Sequence, residues 1–128
     1  MKAQILVVDD DFKNIFALSA VLRSRGYTCV TAQSADEGLT QLMENKEIGI
    51  VLMDMMMPDM DGYEAINRIK SETGLEQIPI IAVTAQAMTG DKEKCLAAGA
   101  SDYLSKPVDV DLLMAKIKHY LSDGLTNG

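Results

Sequence analysis

An α/β domain with five parallel strands and helices on both faces is the fold this sequence predicts, on three observations. Five short apolar or β-branched runs alternate with five longer segments of helical spacing. Three of the runs are continuously apolar, as strands covered on both faces must be. The 128 residues are enough for one such domain to bury its core and too few for a second.

The strand-like runs are Gln4 to Asp9, Thr28 to Thr31, Gly49 to Asp54, Ile80 to Val83 and Asp102 to Leu104. ILVV (5–8), IVLM (50–53) and IIAV (80–83) are the continuous ones and belong in the interior of the sheet. The second and fifth runs are more polar and belong nearer its edges. The first helical segment carries Ile15, Leu18 and Leu22 on one stripe. The second opens on Ser34 with Glu37 three residues later, a capping box, and carries Leu39, Leu42 and Met43. Ile66 and Ile69 mark the third. The fourth, Thr89 to Ala98, is rich in alanine and poor in large apolar residues, so it is expected to be weakly anchored and able to shift. Val110, Leu113, Ile117 and Leu121 mark the fifth, after which SDGLTNG reads as a frayed end. The expected domain is therefore 1–122, with a flexible tail at 123–128. Right-handed crossovers join five β-α units into a doubly wound sheet, for which the flavodoxin-like strand order 2-1-3-4-5 is the natural candidate.

Composition narrows the partners. Hydrophobic residues at 48% and charged residues at 24% are globular proportions, and the net charge of −7 repels phosphate backbones and anionic lipid. Direct nucleic-acid binding is not expected. No apolar run approaches ~18 residues, so neither export nor membrane insertion is expected. Cys29 and Cys95 lack metal-ligand spacing and read as buried thiols, which fits a reducing, cytoplasmic setting.

Doubly wound sheets place their chemistry beyond the carboxyl ends of the strands. The polar residues at those ends are Asp9, Asp10 and Asp11, then Asp54, Thr84 and Lys106. Each alone is well explained as a turn or cap residue. Together they gather charges of both signs at one edge, which local turn chemistry does not require. Clustered carboxylates resist full ionisation unless a cation compensates, and Mg²⁺ suits one or two carboxylates with phosphate oxygens completing its shell. Phosphoryl transfer follows, with Asp54 as nucleophile, Lys106 as the compact positive charge and Thr84 as hydroxyl donor. The single histidine, His119, lies near the end of the last helix, which leaves Ser-His-Asp, Cys-His and zinc mechanisms without their parts.

The motifs ILVVDDD, VLMDMMMPDMDG, PIIAVTA and GASDYLSKPVD, in this order, give the chain a resemblance to the receiver domain of bacterial two-component response regulators over about Ala3 to Leu121. The resemblance implies that Asp54 accepts phosphate from a phosphohistidine on a histidine kinase or histidine phosphotransfer protein. It implies that Asp9 and Asp10 hold Mg²⁺, with Asp54 and the backbone carbonyl of Met56 completing the protein's share. Asp11 is left to open the first helix, where negative charge is favourable. Thr84 and Lys106 match the residues that contact the phosphoryl group, Tyr103 matches the switch aromatic that moves with Thr84, and Lys106-Pro107 matches a cis peptide bond. Met56 and Gln86 match positions that tune how fast water removes the phosphate. An apolar Met56 offers that water no hydrogen bond, so a persistent phosphoryl group is expected.

The expected role is a phosphorelay switch that controls a downstream protein through the face made by the fourth helix, fifth strand and fifth helix, with a homodimer through that face left open. The domain would act as no enzyme beyond its own phosphorylation and dephosphorylation. An aspartate-nucleophile phosphatase is the alternative from the enzyme class, but it would place a second Asp where Met56 stands and needs a substrate cap. A contact-only binding module would not need the complete set of chemical residues. DMDG (59–62) resembles part of a calcium loop but lacks its spaced acids and terminal Glu, and reads as a turn. Met53, Met55, Met56, Met57 and Met60 read as packing rather than a soft-metal site. VTAQAM (83–88) and MDMMMPDMDGYEAI resemble receivers attached to hybrid kinases, so both a stand-alone regulator and a receiver segment of a longer chain are open.

Overall fold

The computed structural model describes residues 4–57, 62–85 and 89–126. Strands β1 (Gln4–Val8), β2 (Thr28–Ala32), β3 (Ile48–Asp54), β4 (Ile80–Thr84) and β5 (Asp102–Ser105) alternate with helices α1 (Phe12–Ser24), α2 (Ala35–Glu44), α3 (Gly62–Ser71), α4 (Thr89–Ala98) and α5 (Val110–Thr126). The strands form one parallel sheet in the order β2-β1-β3-β4-β5, so the two more polar runs are the edges.

Alternation along each strand sends successive side chains to opposite faces and builds two apolar layers. Ile5, Val7, Ile50, Leu52 and Ile81 face α1 and α5, meeting Ile15, Leu22, Leu113 and Ile117. Leu6, Val8, Val51, Met53 and Ala82 face α2, α3 and α4, meeting Leu42, Ile66, Ile69 and Cys95. The sheet is thus sandwiched, and its inner strands are apolar on both sides because neither face reaches water. Cys29 and Cys95 are buried and not joined in a disulfide.

The helices start where the sequence places their caps. Ser34 Oγ accepts from the Glu37 N–H at 3.1 Å, while Glu37 Oε2 accepts from the Gln33 N–H at 3.2 Å, one residue earlier than a reciprocal box requires. Asp11 is the N-cap of α1 and accepts from the Lys13 N–H at 2.9 Å. Gly99, at φ +116°, lets the chain leave α4 and turn into β5, with its N–H on Leu96 O and the Ala100 N–H on Cys95 O. Met43 departs from its expected place in the α2 stripe: it is 50% exposed, because Leu42 and Leu39 take the core-facing side of the helix. The helical backbone of α5 continues past Leu121 to Thr126, overlapping the segment expected as tail. Strand ends shift by a residue where ladder bonds outvote polarity, as at Thr84, which pairs with Ser105 and whose carbonyl accepts from the Lys106 N–H at 2.7 Å. Among the described residues no helix is long and apolar enough to cross a membrane.

One buried polar atom stands out. Ser19 on α1 is 4% exposed and its hydroxyl has no hydrogen-bond partner among the described residues. An unsatisfied buried hydroxyl costs roughly 1–3 kcal/mol. Ser19→Ala is therefore expected to raise stability by about 1 kcal/mol, read as a higher urea midpoint at unchanged slope. A lower midpoint would mean that the hydroxyl is satisfied.

Candidate phosphoryl-transfer site

Four strand ends deliver the polar residues to one crevice. Asp9 follows β1 and is 3% exposed, its Oδ1 accepting from the Asp11 N–H at 2.8 Å. Asp54 ends β3, is equally buried, and its Oδ1 accepts from the Met56 N–H at 3.0 Å and from Lys106 Nζ at 3.2 Å. Thr84 ends β4 and is buried, and Lys106 follows β5 with its side chain partly open to solvent. Asp10 is exposed at the lip. Asp9, Asp10 and Asp54 each offer a carboxylate oxygen within 4.8 Å of the others. Asp11 is turned to its capping role, so the run of three acids divides into two that face the crevice and one that caps a helix.

The electrostatics follow from that crowding. Burial pushes the Asp9 carboxyl from 3.8 up to about 6; the Asp11 N–H pulls the other way, and the Asp54 carboxylate adds to the rise. Among the described residues, Asp9, Asp10 and Asp54 gather beside one ammonium, that of Lys106, which pairs with Asp54, and hard oxygen donors at this spacing suit a small divalent cation. The donor set thus fits Mg²⁺ held by Asp9, Asp10 and Asp54. The same carboxylates do not suit the soft ligation that a methionine site would need. Met53 and Met57 are buried in the core, and Met56 is 48% exposed.

Tyr103 lies on β5, partly buried against the layer that faces α2, α3 and α4, with Lys92 Nζ 5.6 Å from its ring centroid. Its N–H donates to Asp102 Oδ1 at 2.8 Å. The Lys106-Pro107 peptide bond is cis. Gln86, Met60 and the DMDG acids Asp59 and Asp61 lie outside the described residues. His119 is exposed on α5, edge-on to Tyr120, away from the strand ends.

Two features escape a reading of the sequence. Lys92 over Tyr103 and Lys94 over Tyr63, the latter at 5.7 Å, tie α4 to β5 and α3 by cation–π contacts. An apolar trough also runs from the crevice between α1 and the β5-α5 loop, forming a cavity of about 550 Å³. Both depend on how separate elements pack in space: the cation–π pairs join α4 to its neighbours β5 and α3, and the trough joins α1 to the distant β5-α5 loop. The one local signal for the trough is the small Ala17 among the larger apolar residues of α1.

Residues 5–118 match the family model described as response regulator receiver domain. The sensor histidine kinase RcsC of Escherichia coli is 43% identical over 116 residues, which is 91% of this chain and 12% of the kinase. The polar-differentiation response regulator DivK of Brucella ovis is 33% identical over 123 residues, covering 96% of this chain and 99% of that protein. The receiver domain of the sensor histidine kinase PA1611 from Pseudomonas aeruginosa, solved with a magnesium ion coordinated in its active-site cleft, superposes with a TM-score of 0.85 at 33% identity, covering 95% of this chain and 99% of that one. The chain thus spans about an eighth of the length of RcsC and nearly all of DivK.

Proposed function

The chain belongs to the response regulator receiver domain family of two-component signalling, and from that premise we propose that Asp54 accepts a phosphoryl group from a phosphohistidine on a histidine kinase or phosphotransfer protein. The observation that carries this reading is the Lys106 ammonium 3.2 Å from Asp54 Oδ1, with Asp54, Asp9 and Asp10 offering carboxylate oxygens within 4.8 Å of one another. A carboxylate oxygen of Asp54 forms the new O–P bond as the P–N bond breaks, and the electron pair returns to the imidazole nitrogen of the donor. Mg²⁺, when bound by Asp9, Asp10, Asp54 and the Met56 carbonyl, supplies positive charge against the phosphoryl oxygens. Lys106 moves its hydrogen bond from the carboxylate to a phosphoryl oxygen, and the Thr84 hydroxyl donates a second. The product is an acyl phosphate on the domain itself, so the chemistry serves the switch and turns over no external substrate.

The output follows from what holds α4. Among its described side chains, Cys95 and Ala98 are the buried apolar ones, and Lys92 and Lys94 grip tyrosines from its surface. A helix held this lightly responds to a shift of Thr84 and Tyr103, and the face of α4, β5 and α5 is where a downstream protein or a second copy would read it. RcsC, a sensor kinase matched over 12% of its length, supports a receiver segment of a longer chain; DivK, matched over 99%, supports a single-domain regulator. The domain boundary at 122 and a cytoplasmic setting belong to the same proposal.

Incubation with acetyl phosphate and Mg²⁺, followed by intact mass, tests the reading. One phosphoryl group is expected, lost with Asp54→Asn and with chelator; uptake in either control would contradict it. The exposed thioether of Met56 offers no hydrogen bond to an attacking water. Met56→Asn is expected to speed phosphate loss about tenfold by positioning that water, measured as release of inorganic phosphate. An unchanged rate would remove Met56 from the control of phosphoryl lifetime.

A further inference from the structure

The trough beside the crevice has two chemically different ends. Its body is apolar, walled by Leu18 and Val21 of α1, Leu52 of β3, Val108 of the β5-α5 loop and Val110 at the start of α5, with exposed Ala17 on its rim. Its head is formed by Asp9, Asp54 and Lys106, with Asp10 at the lip. Among the described residues, the carboxylates of Asp9, Asp10 and Asp54 stand against the single ammonium of Lys106, an excess of negative charge at the head. From Asn14 to Val21 the wall follows about two turns of helix, roughly 10 Å. A cavity of about 550 Å³ falls in the ordinary range for small-molecule sites, which combine an apolar body with a few converging polar groups.

We propose that this trough binds an organic cation, a protonated primary amine with a short aliphatic or single-ring body, whose ammonium sits between Asp9 and Asp54 and whose body lies between α1 and the β5-α5 loop. Charge selects the sign of the head, since an anion would meet the carboxylates and a neutral alcohol would leave their excess charge uncompensated. The apolar wall selects the body, because each methylene taken from water tightens binding by up to about fourfold. An ammonium at Asp9 and Asp54 excludes Mg²⁺ from the same oxygens. Binding rests on the trough and its charge alone; its consequence, a receiver held unphosphorylated, rests on the reading of Asp54 as acceptor.

Titration of the ¹⁵N-labelled protein with hexylamine, ethylamine and hexanoate, each with and without Mg²⁺, tests this. Hexylamine is expected to bind about tenfold or more tightly than ethylamine, to shift the amides of Ala17, Leu18, Val21 and Val108, and to weaken as Mg²⁺ rises. Ala17→Trp, which fills the rim from an exposed helix position, is expected to abolish the advantage of the longer chain and leave Mg²⁺ affinity unchanged; Ala17→Leu is expected to act in the same direction. Equal affinity for the two amines, equal binding of hexanoate, or indifference to Mg²⁺ would overturn the proposal. Acetyl phosphate is the separate arm: hexylamine is expected to suppress the mass gain at Asp54. No mass gain in any condition, with hexylamine bound as described, would instead overturn the acceptor reading and leave the amine site standing.

Discussion

Lys106→Ala is expected to slow phosphoryl uptake from acetyl phosphate by about two to three orders of magnitude at saturating Mg²⁺, the range for removing one donor aimed at developing charge. The ammonium lies 3.2 Å from Asp54 Oδ1, and the carboxylate it serves is almost fully buried, so water replaces it poorly. The Lys106 N–H, just past the end of β5, donates to Thr84 O, which anchors the backbone from which the side chain reaches Asp54. Lys116 provides the control. It makes an ion pair of 2.8 Å with Asp102 at the opposite end of β5, and Lys116→Ala is expected to leave the rate of uptake intact. A Lys106→Ala rate within about threefold of the parent, against the two orders expected, would show that the ammonium is only a structural partner of Asp54.

Asp9→Asn has two large and opposite consequences. The first is loss of Mg²⁺ affinity by tenfold or more, since an amide replaces a charged oxygen in a set of three. The second is a change in how stability depends on pH. In the folded, metal-free domain the Asp9 carboxyl is pushed from 3.8 up to about 6, so the folded state binds its proton more tightly than the unfolded chain does. The contribution is fully present below about pH 4 and is lost as pH rises through about 6. Denaturant midpoints of the parent protein in chelator should therefore fall between those values relative to Asp9→Asn, which has no charge to bury. Mg²⁺ needs the ionised carboxylate, so its affinity should weaken as pH falls through the same window. Parallel midpoint curves for the two proteins would contradict the crowding of Asp9 by burial and by Asp54.

The strands were legible because burial on both faces leaves a mark that is local in sequence: ILVV, IVLM and IIAV have no polar side to show. Edge placement of β2 and β5 followed from their polarity for the same reason. The set Asp9, Asp10, Asp54, Thr84 and Lys106 was legible because a doubly wound sheet sends every strand end to one edge, so terminal residues converge whatever their spacing. Met43 was misplaced because an apolar residue one position round from Leu42 satisfies a helical stripe without reaching the core. Lys92 over Tyr103, and the trough between α1 and the β5-α5 loop, were not legible. The first depends on how α4 settles against β5 and the second on how α1 and the β5-α5 loop settle across the sheet, and no periodicity within a single segment encodes either distance.

The most direct measurement locates the phosphoryl group itself. Borohydride reduces an aspartyl phosphate to homoserine, so the protein is phosphorylated with Mg²⁺ present, reduced, digested and sequenced by mass. Homoserine at position 54 alone, formed only with Mg²⁺, is the predicted result. Homoserine at Asp9 or Asp10, or none at position 54 in a protein whose intact mass has risen by one phosphoryl group, would contradict Asp54 as the acceptor.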